Sequence, residues 1–247
     1  MDDVVTSIYS ALDAQKAQPC TIQAIQSHAI TEDIVDLNDK AVASILKNDH
    51  QTALQTLQMA LARILALQSQ PQHCLPFGED SPIASIPLST PASSSNDGVF
   101  VVFNRALVIS HSDDFDLSCP KNRSRALATI LYNVGLVYHL EAVHRGDSAI
   151  LGHALTYYGW SYYVVESASQ QYGFHDVLLL LLSLFNNMGH VHASHLDGDK
   201  TRQCLRWMQS TFANPKITRV LSSEDYQFFF QYISLQSHRQ LQLAPAA

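Results

Sequence analysis

Three times along this chain an amphipathic helical run breaks at a short polar turn and resumes with small residues at its inner positions. From Leu37 the apolar and small residues fall at Ala41, Ile45 and Leu46, and after Asn48-Asp49-His50 at Ala53, Leu57, Ala60, Leu61 and Ile64. That three-and-four spacing is the signature of a helix with one buried face. Leu131 to His139 opens a second such pair, continued through Gly146-Asp147 to Ala154, Leu155, Tyr158 and Ser161. Phe185 to His192 opens a third, with a turn at Gly198-Asp199, then Cys204, Leu205, Met208 and Thr211. Small residues such as Ala41, Gly135 and Gly189 mark where two antiparallel helices cross closely, and larger ones fill the space a turn away. The spacing predicts later helices over 122–145, 148–170, 174–196, 200–213 and 223–241, the last begun by a Ser222 cap with Asp225 three residues on.

Between the first and second pairs the pattern stops. Pro71, Pro76, Pro82, Pro87 and Pro91 are five of the nine prolines, and Ser93-Ser94-Ser95-Asn96-Asp97-Gly98 closes the run. Repeated proline removes backbone donors and turns each preceding residue away from helix. Residues 99–109 then form the one clearly strand-like segment, apolar on both alternating faces and so expected to be covered on both sides. Ile83 to Leu88 is the one feasible hairpin partner nearby; otherwise the segment lies extended against the helices. The expected architecture is all-α: an antiparallel helix-hairpin stack in one domain, with a partly strand-like insertion after the first pair. Residues 1–36 form an N-terminal helical extension, 37–68 the first pair, 69–121 the inserted loop, 122–170 the second pair, 174–213 the third, and 222–243 a capping helix.

Composition narrows the function classes. Charged residues make up 15% against 47% hydrophobic, and the net charge is −7, so nucleic acid is not an expected partner. The acidic excess sits in residues 1–80, where ten carboxylates face four cations. Met1-Asp2-Asp3 is not the basic start of a secretory signal. The longest apolar run, Val177 to Leu182 with Leu184 and Phe185, is about half a bilayer span, so no membrane association is expected. Cys20, Cys74, Cys119 and Cys204 form no C-x-x-C pair, which suits reduced thiols in the cytosol or nucleus.

On these residues the chain resembles the tetratricopeptide repeat family, in which a small residue in the first helix, a Gly-Asp-type turn and a small residue early in the second helix recur every 34 residues. Ala41, Asn48-Asp49, Ala53, Leu57 and Ala60 carry the likeness most closely; the later pairs have longer connections. Asn104-Arg105-Ala106, Tyr132-Asn133-Val134-Gly135, Asn186-Asn187-Met188-Gly189-His190 and the ending Ala244-Pro245-Ala246-Ala247 look, more narrowly, like a set of tetratricopeptide-like proteins common in diatom genomes, to which no activity is assigned. The resemblance implies a right-handed superhelical stack that binds an extended peptide or partner helix in a groove lined by the first helix of each pair. Carried over by position, that groove is Asn38, Asp39, Val42, Tyr132, Asn133, Leu136, His139, Asn186, Asn187 and His190. Asn133 and Asn187 take the place where family members hold a peptide backbone by a side-chain amide. An amide donates to a carbonyl and accepts from an N–H at once. The plainer reading is that both amides bridge neighbouring helices. No Lys or Arg falls at these positions to take a terminal carboxylate.

The leading expectation is therefore a protein-interaction scaffold and not an enzyme, with no catalytic residues and no cofactor. Residues 99–109 would occupy part of the groove as a built-in ligand. One alternative is a metal-binding or enzymatic protein using the His-rich third pair, with His192 and His195 three apart on a helix as the ligands. Another is a structural subunit of a larger complex. The basic cluster Lys121-Asn122-Arg123-Ser124-Arg125 reads as a solvated helix entry. The last helix carries Tyr226, Phe228, Phe229, Phe230, Tyr232 and Ile233 all round, so either the insertion covers it or it supplies a homo-oligomer contact.

Overall fold

A computed structural model describes residues 24–67, 83–88, 100–110, 115–172 and 177–243. Most of residues 69–99 and the chain ends, with the prolines 71, 76, 82 and 91, Cys20, Cys74 and Ala244 to Ala247, lie outside the described residues. The protein is mainly helical: α1 (Ala24–Leu46), α2 (His50–Ala66), α3 (Pro120–Arg145), α4 (Ser148–Tyr172), α5 (Leu178–Ser194), α6 (Gly198–Phe212), the short α7 (Ile217–Val220) and α8 (Ser223–Leu243), with β1 (Ile83–Pro87) and β2 (Arg105–Ile109) between α2 and α3. The mainly helical part of the expectation holds, and the partly strand-like insertion contributes a small antiparallel sheet, in which Ile83 faces Ile109 and Pro87 faces Arg105. Ile83 to Leu88 is the partner that the pattern singled out. Helix α1 runs unbroken through residues 36 and 37, so the extension and the first pair share one helix.

Helices pack in chain order, α1 on α2, α2 on α3, and so on to α6. The turn chemistry explains the hairpins. Each closes on one left-handed residue followed by an aspartate that caps or supports the next helix: Asn48 (φ 58°) then Asp49, Gly146 (φ 66°) then Asp147, and Leu196 (φ 58°) then Asp197. Asp49 accepts from the Thr52 N–H at 3.1 Å and Asp197 from the Lys200 N–H at 3.2 Å, satisfying donors that a helix start leaves open. The third turn is therefore Leu196-Asp197. Gly198-Asp199, where the spacing put it, already lies inside α6, because any residue can begin a helix that an aspartate precedes.

Core residues follow the predicted faces: Ala53, Leu57, Ala60, Leu61 and Ile64 of α2 are buried, as are Cys204, Leu205 and Met208 of α6. Helix α3 is buried nearly all round. It is the one helix among the described residues long and apolar enough to cross a membrane by length and composition, yet most of that stretch is covered by its neighbours, as in a core helix. The basic cluster at its start is not solvated. Asn122, Arg123 and Arg125 are buried. The Arg123 guanidinium donates to the Leu67 carbonyl at the end of α2 (2.6 Å) and to the Ser118 carbonyl (3.2 Å), so its charge meets the negative end of a helix. Burial lowers Arg125 to about 10.

Candidate functional site

Residues 100–109 run across the face that α1, α3 and α5 share, and α8 closes over them. Only 105–109 lie in the sheet. The Asn104 carbonyl still accepts from the Leu88 N–H at 3.1 Å, but from Phe100 to Phe103 the chain lies outside the sheet, so its backbone must find other partners. Side-chain amides supply them. Asn187 accepts from the Phe103 N–H at 2.8 Å and donates to the Phe103 carbonyl at 3.3 Å. Asn133 repeats the arrangement four residues on, accepting from the Leu107 N–H at 2.9 Å and donating to the Leu107 carbonyl at 2.7 Å. Asn38 donates to the same carbonyl at 3.1 Å and accepts from Asn133 at 2.9 Å. Asn186 donates to the Val101 carbonyl at 2.8 Å, and the Tyr132 hydroxyl to the carbonyls of Arg105 (3.2 Å) and Phe103 (3.4 Å). Alternate residues 101, 103, 105 and 107 are thus gripped by their main chain, as the period of an extended segment requires.

These are the residues read as a groove, and the segment lying on them is the one read as a built-in ligand. Asn38, Asn133, Asn186, Asn187 and Tyr132 hold it. Val42 and Leu136 are buried beneath, and Asp39 is half-buried beside Asn38. Both amides also bridge neighbouring helices, Asn133 from α3 to Asn38 of α1 at 2.9 Å and Asn187 from α5 to the Tyr132 and Tyr158 hydroxyls of α3 and α4 at 3.2 Å each. His139 and His190 lie one layer back. Their ring nitrogens are 2.9 Å apart, and His139 reaches the Tyr158 hydroxyl at 3.2 Å, which accepts from Asn187 at 3.2 Å. A hydrogen-bonded chain therefore joins half-buried His190 to a clamp. Burial, with His190 beside it, holds His139 well below the usual imidazole range, and burial lowers His190 also.

Side chains give the segment its fit. The Phe103 ring lies 4.8 Å from Phe229 and 5.0 Å from Phe228, and Phe100 lies 5.2 Å from Tyr232. The insertion therefore covers the inner side of the aromatic last helix, while Phe230 and Leu235 stay 51% and 62% exposed. Gly189 does not mark a helix crossing. A Cβ there would stand 2.4 Å from the Phe100 ring, so this glycine makes room for the inserted segment. Gly135 does serve a crossing, because a Cβ there would meet Tyr158 of α4 at 2.7 Å.

Arg105 and Asp225 went unread as a pair. Arg105 Nε lies 3.1 Å from Asp225, which is buried, and its Nη2 lies 3.0 Å from Glu224. The Ser85 and Ser222 hydroxyls donate to Asp225 at 2.8 and 2.7 Å. The Asp225 N–H donates back to Ser222 at 3.1 Å, so the residue read as a helix start is also the seat of the cation. A lone arginine in an apolar run is the signal that could have found it, since such a charge needs a partner.

His192 stands 3.9 Å from Asp197 and His195 reaches the Ser148 carbonyl at 3.4 Å. Among the described residues no three His, Cys, Asp or Glu side chains gather as metal ligands. No protein-family model, curated protein or solved structure matches this chain.

Proposed function

We propose that this protein is an interaction scaffold, a tetratricopeptide-like stack whose groove binds an extended peptide and is occupied by residues 100–109 of its own chain. The observation that carries the reading is the paired clamp. Asn133 and Asn187 each take both the N–H and the carbonyl of one residue, Leu107 and Phe103 respectively. That grip reads a main chain and is indifferent to side chains, which is how a groove holds a strand supplied by another protein. The amides also constrain the mechanism. Phe103, Ala106, Leu107 and Ile109 are core residues, so an empty groove would strand several buried amides, at about 1–3 kcal/mol each, beside an apolar void. Binding is therefore an exchange of one strand for another.

Complementation tests this directly. Phe103→Ala in the full chain loosens the resident segment and leaves the groove side chains in place. A labelled peptide spanning residues 99–110 should bind this variant with micromolar affinity by fluorescence anisotropy and raise its melting temperature. Adding Asn133→Ala should abolish both effects. A Phe103→Ala chain of native helicity that ignores the peptide would contradict the reading.

A further inference from the structure

Backbone clamps cannot tell one extended peptide from another, so selectivity must come from the side-chain seats, and these are specific. Phe103 enters a pocket walled by the Phe228 and Phe229 rings. Two residues on, Arg105 meets a carboxylate pair, buried Asp225 and exposed Glu224, with the Ser85 and Ser222 hydroxyls oriented onto Asp225. Two further on, the Leu107 side chain is fully buried in the apolar core, while the α1 and α3 amides hold its carbonyl.

The geometry points to a partner protein that presents an extended segment with an aromatic residue, a basic residue two places later and an aliphatic residue two places after that, of which residues 103–107 are the resident copy. This rests on the groove reading above and adds to it the chemistry of the occupant. Charge complementarity decides for a basic residue. A buried carboxylate left without a cation is strongly unfavourable, so a neutral or acidic side chain at that place leaves Asp225 desolvated and unpaired. Phe100 adds an upstream aromatic seat, open only because residue 189 is glycine.

The test uses labelled 99–110 peptides with arginine or citrulline at the place of Arg105. Citrulline keeps the shape and most donors and removes the charge. Each peptide is titrated into the full chain carrying Phe103→Ala, and into the same chain with Asp225→Asn added. The arginine peptide should bind about tenfold more tightly than the citrulline peptide to the first, and within about twofold of it to the second, because the coupling belongs to the pair. Equal affinity for the first chain would overturn the basic requirement and leave the clamp standing. Absence of binding by both peptides to a chain of native helicity would overturn the clamp as well. Should Phe103→Ala lose helicity, circular dichroism on mixing gives the same reading. Recovery at about tenfold lower concentration of the arginine peptide supports the proposal, and equal or absent recovery overturns it. Light scattering on the unaltered chain adds one more outcome: a dimer that exchanges residues 100–109 would assign the seat to a second copy and overturn the partner.

Discussion

Four of the helical glycines separate the residues that shape this protein from those that do not. Gly135 and Gly189 stand where an added Cβ would meet a ring at 2.7 and 2.4 Å, whereas Gly152 and Gly159 have nothing within 4 Å. Gly189→Ala should therefore destabilise the fold by about 1–3 kcal/mol through the clash with Phe100. Gly152→Ala should stabilise it by about 0.5–1 kcal/mol, because only the backbone term remains. Urea unfolding of the two variants checks both signs. The buried His139 and His190 set a pH dependence of definite direction. Burial holds both below the ordinary imidazole range, so as pH falls through about 6.5 the unfolded imidazoles take up protons more readily than the folded ones. The unfolded state then binds more protons, so their contribution is complete above about pH 6.5 and is lost as pH falls below it. His139→Gln should be less stable than the unaltered chain at pH 7 and lose less on going to pH 5, as read by denaturant midpoints. At this scale the amides were legible in the sequence, since Asn two places before a helical glycine is a recurring position. The Arg105–Asp225 pair was not, because 120 positions of chain separate partners that only the tertiary fold brings within 3.1 Å.

Elements were legible where periodicity alone decides them. The helices α3 to α6 and α8 fall within a few residues of the predicted spans, because their apolar spacing decides them; aspartate or serine caps reinforce it at α4, α6 and α8, whereas α3 starts at Pro120 and α5 at Leu178 without a side-chain cap. The third turn slipped by two residues. A Gly-Asp pair mimics the true Leu196-Asp197 turn, and the exposed Leu196 is an unexpected occupant of a left-handed position. That misfit makes a prediction. Leu196→Gly should raise stability by about 1 kcal/mol by removing the left-handed penalty, and Gly146→Ala should lower it by a similar amount; differential scanning calorimetry distinguishes the two. The strand-like segment was legible as extended and doubly covered, yet only half of it pairs in a sheet. Local sequence cannot say that side-chain amides will replace a neighbouring strand, because those amides sit on α3 and α5, far along the chain.

At the scale of the molecule, the inserted segment is part of the core and not an appendage to it. Phe100, Phe103, Ala106, Leu107 and Ile109 belong to the same apolar cluster as α2, α3 and α5. Removing residues 71–110 should therefore lower stability by several kcal/mol, of the order of one large core truncation at about 3–5 kcal/mol, and should not yield an open, empty groove. Thermal melts of the deletion and of the full chain decide the point. The central claim is that Asn187 and Asn133 grip the main chain at Phe103 and Leu107. Amide hydrogen exchange by NMR on the unaltered chain tests it most directly. The account predicts that the Phe103 and Leu107 amides are slowed together by about a thousandfold or more, an opening cost of about 4 kcal/mol. Exchange of either amide at the rate of an unprotected peptide would contradict it.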